Sequence, residues 1–348
     1  MHVIGREEAD GPVGHLGSYR ARDGSAGARV GVDLERPHVA LIVGKRGSGK
    51  SYTMGVLAEE LARATGVRPI IGDTMAVFGS LAAASDLAGR TVESTVSAGT
   101  LSPPEWCELV GVDPERPAGA LVWRVARACD TLEGMLEAVE SVDASRSARR
   151  AARNHLRLVE SWNVFRPGEP DWATDGGCAR LDLSGRDRAA ANAVVAGIAS
   201  RTYDRSVADT AGPLPWLLLD EVHTFFDGVA ATALRRLLTR GRDPGVSLVV
   251  ATQRPDALPP VAISQADLLV VHRLSGRADR QALVDARPAI LSEAIDHRLP
   301  TAVGEALVID DATETAHTIT VRERDTPHDG ESPRASERTA VPSRHRNR

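Results

Sequence analysis

An α/β fold with a mostly parallel central sheet flanked by helices is predicted by three observations. Residues 38–51 read as a short apolar strand, a tight glycine loop and a helix start. Further on, Trp216–Leu219, Val246–Ala251 and Leu268–Val271 are near-continuous apolar runs, the pattern of strands covered on both faces. Between strands the period changes: Met54, Leu57, Ala58 and Leu61 recur at helical spacing, and Gly66 follows where a helix should stop.

Taken in order, residues 1–36 are rich in Gly, Asp and Arg and carry two strand-like runs, near Val13–Tyr19 and Ala28–Leu34. They predict a short β-hairpin leading into a domain over 37–324. Val67–Gly72 reads as a strand ending at Asp73, with a helix expected over about Phe78–Leu87 and a third strand over Arg90–Val96. Residues 103–175 change character: prolines punctuate the start, and long helical patterns run through Leu121–Val142 and Ala144–Val164. A helical insertion is expected there. Cys178–Leu183 alternates as a strand, and Arg188–Tyr203 is helical in period. Residues 304–309 and 315–322 read as terminal strands. The tail over 325–348 is rich in Pro, Ser and Arg and is expected to be disordered.

Composition narrows the class. At 348 residues, with 42% hydrophobic and 26% charged residues, the chain reads as soluble and globular. Aromatics are only 3%, so the core must rest on Val, Leu, Ile and Ala. A net charge of −5 argues against a surface that is basic throughout, so any polyanion contact must be local. Cys107, Cys129 and Cys178 fit no metal or disulfide spacing and suggest a reducing, cytoplasmic compartment. No apolar stretch approaches the ~18 residues that span a bilayer, so no membrane contact is expected.

The loop Gly44-Lys45-Arg46-Gly47-Ser48-Gly49-Lys50-Ser51 fits the phosphate-binding spelling G-x-x-x-x-G-K-[ST]. Among 42 basic residues only two are lysines, Lys45 and Lys50, and both lie here. A flexible point charge can follow the β and γ phosphates, a task a planar guanidinium performs poorly. Gly44, Gly47 and Gly49 are expected to take positive φ and let the backbone approach a ligand. Amides from Gly47 to Ser51, and on to Tyr52, would face an anion at the helix N-terminus. Lys50 is then the phosphate cation, and Ser51 a ligand for Mg²⁺ with ATP.

Pro215–Leu219 is an apolar strand that ends in Asp220-Glu221. Asp220 is expected to hold Mg²⁺, and Glu221 to orient and deprotonate the attacking water. Such a pair also serves as a helix N-cap, but its pairing with Lys50 favours hydrolysis. The strand Val246–Ala251 ends in Thr252-Gln253, whose amide is a candidate γ-phosphate sensor. Phosphoryl transfer needs further positive charge, often an arginine from a neighbouring subunit. Arg240, Arg242 and Arg273 are candidates. Arg146, Arg149, Arg150, Arg153 and Arg157 share one face of a predicted helix. They would either contact DNA phosphates or pair with Glu137, Glu140 and Asp143 as a solvated face.

Together these residues resemble the HerA–FtsK superfamily of hexameric DNA-pumping ATPases, and its HerA-like branch. The resemblance rests on Gly44–Ser51, on Leu217–His223, and on Gly241–Val246 running into Ala251–Pro255. His272-Arg273-Leu274 with Asp279, and Val321–Arg324 with His328 and Gly330, extend it to roughly residues 35–330. It implies a RecA-like P-loop NTPase fold in which the Gln253 strand lies beside the phosphate-loop strand. It also implies a homo-oligomeric ring, hexameric in the family's manner, with ATP at subunit interfaces. Arg242 falls at the trans-acting arginine and Arg273 at a further arginine position. The implied activity is ATP-driven translocation on double-stranded DNA, often beside a nuclease. HerA proteins carry an N-terminal β-barrel, whereas only about 35 residues precede this motor, which puts the nuclease partnership in question. A ring that scaffolds an effector, or a conjugation or secretion motor, would keep the ATPase and change its cargo.

Overall fold

One twelve-stranded sheet organises the protein, in a computed structural model that describes residues 1–6, 10–21, 25–168, 172, 177–286 and 298–328. In chain order the strands are β1 (His2–Ile4), β2 (Val13–Arg20), β3 (Ala26–Asp33), β4 (Val39–Val43), β5 (Val67–Asp73) and β6 (Arg90–Val92). They continue as β7 (Ala179–Asp182), β8 (Leu214–Leu219), β9 (Ser247–Thr252), β10 (Leu268–Val271), β11 (Glu305–Asp310) and β12 (Thr315–Val321). Spatially they run β1-β3-β2-β12-β11-β10-β4-β9-β8-β5-β7-β6. From β10 to β6 every pairing is parallel. From β10 through β11, β12 and β2 to β3 every pairing is antiparallel.

The helices are α1 (Lys50–Arg63), α2 (Gly79–Ala83), α3 (Pro103–Leu109), α4 (Pro117–Ala128), α5 (Leu132–Ser141), α6 (Arg146–Ser161), α7 (Arg188–Ala208), α8 (Ala230–Arg240), α9 (Pro260–Ser264) and α10 (Arg277–Ala286). Alternation along each central strand splits the core in two. Leu41, Val43, Leu217, Leu219, Leu248 and Val250 face one layer, which holds α3 to α8. Ala40, Ile42, Trp216, Leu218, Val249 and Ala251 face the other, where Met54, Leu57 and Leu61 of α1 lie. A strand buried on both faces has no polar position to spare, which is why these runs read as continuous.

Several elements depart from the sequence reading. The helix expected over Phe78–Leu87 is the short α2 plus a 3₁₀ turn at Ser85–Leu87. The strand expected over Arg90–Val96 ends at Val92. The pattern through Leu121–Val142 divides into α4 and α5, because the Thr131 side chain accepts from the Gly134 amide and starts a new helix. The N-terminal hairpin is stitched into the main sheet, since Gly17, Ser18 and Tyr19 pair with β12. Residues 325–328, expected to be loose, pack on α1, where the buried Glu59 accepts from the Asp325 and Thr326 amides. The rest of the tail, 329–348, lies outside the described residues.

Candidate functional site

Parallel strands deliver their C-terminal ends to one edge, where the glycine loop, Asp220, Glu221, Gln253 and Arg273 come together, whereas Arg242 does not. β4 runs into the glycine loop, β8 into Asp220-Glu221 and β9 into Thr252-Gln253, with β4 hydrogen-bonded to β9 and β9 to β8. Gly47 and Gly49 take φ of +71° and +113°, whereas Gly44 does not adopt positive φ. Its constraint is space: a Cβ there would lie 2.4 Å from Ser48 Oγ and 2.6 Å from His272 Cβ. The loop is held by Ser48 Oγ donating to the Lys45 carbonyl at 2.8 Å. On its other flank the Lys45 amide donates to the Arg273 carbonyl at 2.9 Å.

Lys50 is buried, and its ammonium donates to the Lys45 carbonyl at 3.3 Å. Burial lowers its pKa, against the pull of Glu221 and Asp220. Ser51 Oγ donates to Asp220 Oδ2 at 2.6 Å. Asp220 Oδ1 accepts the Glu221 amide at 2.8 Å. Burial raises the pKa of Asp220. For Glu221 the same effect is reinforced by the Asp220 charge and opposed by Lys50 and by the Gln253 backbone amide, which hydrogen-bonds its carboxylate. Glu221 itself sits at φ +48°, in the left-handed region. Its Oε2 is buried and accepts no hydrogen bond among the described residues, although His223 Nδ1 approaches to 3.3 Å.

Sequence reasoning named Asp73, His223 and His272 without giving them a role. His272, at the tip of β10, is completely buried beneath the loop; its Nδ1 donates to the Glu305 carbonyl and its Nε2 accepts from Thr53 Oγ1. Burial takes its pKa down to about 4, so the wedge under the loop is neutral. His223 bonds Thr252 Oγ1 at 3.0 Å and links the β8 and β9 tips. Asp73, at the tip of β5, caps the Val77 and Phe78 amides and pairs with Arg180 at 2.7 Å. Only tertiary neighbours give these residues their meaning, so periodicity carried no signal for them.

The arginine candidates divide. Arg273 shares the edge with the loop, and its guanidinium donates to the Thr301 carbonyl at 3.2 Å. Arg242 lies at the opposite edge, before β9, where it pairs with Asp267 at 3.0 Å and is mostly exposed. Arg240 ends α8. In α6, Arg153 pairs with Glu140 and Arg157 with Glu160, as a solvated face would. Arg146, Arg149, Arg150 and Arg153, with Glu140 and Asn154, nevertheless line an open groove of about 1270 Å³ in which arginines outnumber carboxylates.

The sequence family described as "Helicase HerA, central domain" matches residues 13–160, a stretch that includes the hairpin and the phosphate loop. That stretch is therefore similar to the central domain of the HerA helicases, over less than half of the chain. Of solved structures, VirB4 of Thermoanaerobacter pseudethanolicus superposes with a TM-score of 0.67 at 18% identity, covering 91% of this chain and 98% of that one. The bacterial conjugative coupling protein TrwB gives 0.55 at 15% identity, over 84% of this chain and 87% of that one. At such identities the likeness establishes the fold alone. No curated protein sequence matches. Among the described residues, no helix is long and apolar enough to cross a membrane.

Proposed function

We propose that the chain is the subunit of a ring-shaped, ATP-hydrolysing motor that translocates double-stranded DNA. The observation that carries the reading is the 2.6 Å hydrogen bond from Ser51 to Asp220, which joins the phosphate loop to the acid pair across two separate strands. In this reading the amides from Gly47 to Tyr52 surround the phosphates, and Lys50 neutralises them from a site already screened from water. Ser51 and Asp220 offer two hard oxygens on one side of the loop. That set fits Mg²⁺, which keeps several waters and completes its shell on substrate phosphates, and which when bound would offset phosphate charge.

Glu221 is the general base. Its uncommitted Oε2 and raised pKa suit it to orient a water and take its proton. Gln253, tied to Glu221 through its backbone amide, reports the γ-phosphate to the β9 tip. Arg242 serves a neighbouring subunit's site, and Arg273 steadies the loop it flanks. Subunits form a homo-hexamer in the cytoplasm, and the α6 groove offers positive charge to the DNA backbone. A nuclease or other effector works alongside the ring.

Steady-state ATPase assays with and without duplex DNA test the cargo. The expected outcome is faster turnover with duplex, an effect that shrinks with added salt as phosphate contacts are screened. A rate indifferent to duplex at every salt concentration would remove DNA as the cargo and favour an effector scaffold.

A further inference from the structure

The strap after β12 runs along α1 and finishes at the phosphate loop. Its anchor is Glu59, whose carboxylate is fully buried and accepts from the Thr326 amide and hydroxyl at 2.9 and 2.6 Å, and from Arg322 at 2.8 Å. Next along the stripe, the Arg324 guanidinium covers Gly55, donating to Thr326 Oγ1 at 2.8 Å and to Ser80 Oγ at 3.3 Å. At the loop end, the Arg324 amide donates to the Tyr52 hydroxyl at 2.7 Å. The His328 ring meets the Tyr52 ring edge-on, with centroids 5.4 Å apart. Tyr52, Gly55 and Glu59 share one face of α1 by helical spacing.

We propose that this corner, made by Tyr52, His328 and Arg324 and closed by Ser80, receives the nucleoside end of the bound nucleotide, with the base against the Tyr52–His328 rings. The inference rests on the phosphate-loop reading above and extends it to specificity. The terminal phosphate must lie by Glu221, where water attacks, so the nucleoside leaves the loop in the other sense. The flank towards β10 is closed by His272 and by the Lys45–Arg273 backbone bond. Among the described residues, the first turn of α1 on the Tyr52 side is the flank away from these contacts. The chemistry there fits a heteroaromatic base. Tyr52 is one of only three tyrosines in the chain, and it follows directly on the loop's serine. Arg324 donates to His328 Nδ1 at 3.1 Å, which orients the imidazole beside Tyr52. That leaves a π surface beside a buried cation, a setting in which any base can stack.

Calorimetric titration of the full chain with magnesium ATP and with magnesium tripolyphosphate separates the two ends of the ligand. Wild type should bind ATP about tenfold or more tighter than tripolyphosphate, the order expected of one stacked base. His328→Ala should erase that preference while leaving tripolyphosphate binding in place; Tyr52→Ala should weaken ATP more than tripolyphosphate, and Tyr52→Phe should restore the preference. Should Tyr52→Ala fail to fold, His328→Ala at the strap's end carries the test alone. Equal losses for both ligands, or no loss for either, would overturn the inference. If wild type binds neither ligand, the phosphate-loop reading fails and takes the base site with it.

Discussion

Glu221 holds a backbone conformation that an ordinary side chain avoids, at a cost of about 1–2 kcal/mol. It also buries a carboxylate oxygen with no hydrogen bond among the described residues. Both features destabilise the fold, and they occur on a carboxylate close enough to Lys50 and Asp220 to interact with both charges. Two substitutions separate them. Glu221→Gln keeps the backbone and the shape, so nucleotide binding should persist while turnover falls at least ~100-fold, the contribution of a general base. Glu221→Gly should lose turnover equally but raise stability by about 1 kcal/mol in urea titration, because glycine accepts this φ without strain. Unchanged turnover in the Gln variant would remove Glu221 from the base role. A fall in stability for the Gly variant would show that the side chain, despite its orphan oxygen, is held by net favourable contacts.

At the scale of elements, α1 links the loop to the strap, and Gly55 is where the two pack most closely. A Cβ there would lie 2.7 Å from the Arg324 guanidinium carbon, in a site where that side chain is almost fully buried. Gly55→Ala, ordinarily favourable in a helix, should therefore cost about 1–3 kcal/mol by overpacking, measured by thermal or urea unfolding. A stabilised variant would mean that the strap yields freely. None of this was visible in the chain as written, where Gly55 and Glu59 are unremarkable helix positions and Asp325 opens a polar tail. What could be read was whatever obeys a local rule. The glycine loop has a spelling, and apolar runs ending in Asp220-Glu221 and Thr252-Gln253 mark buried strands with polar tips. The parallel pairing of β4 with β9 came through resemblance, because strand order depends on crossovers that no single run records. The break between α4 and α5 was missed because Thr131 caps by hydrogen bonding, an event that hydrophobic period does not encode. His272 and His223 gained their places only when β8, β9 and β10 came together.

Across the whole molecule, the edge opposite the loop is tied by a buried ion network. His38 lies between Asp267, at 2.6 Å, and Asp33, at 3.3 Å, and so joins β10, β4 and the N-terminal hairpin. Burial opposes its charge, but hydrogen bonds to the two carboxylates prevail and lift its pKa to about 9. A group whose folded pKa is raised contributes all of its stability below the unfolded value and loses it as pH climbs to the folded one. Unfolding free energy should therefore decline between about pH 6.5 and about pH 9, and His38→Gln should flatten that limb. An equally steep limb in the variant would assign it to other groups. Asp267 Oδ2, which holds His38, also accepts from Arg242 Nη2 at 3.0 Å, so in the single subunit the network holds the guanidinium of the arginine proposed to act between subunits. Arg242 precedes β9, and Gln253 follows it, so the strand's six residues separate them by about 20 Å. Arg242 is thus held far from its own phosphate loop and turned to solvent, its side chain 69% exposed. If it completes a neighbour's site, Arg242→Ala subunits retain an intact loop and Lys50→Ala subunits retain an intact arginine. Mixing the two inactive proteins should then recover activity, because some interfaces pair one good loop with one good arginine. Recovery should rise to a maximum at intermediate ratios and vanish at either extreme. No recovery at any ratio, with mixed rings verified by mass, would confine Arg242 to tying the strand ends together.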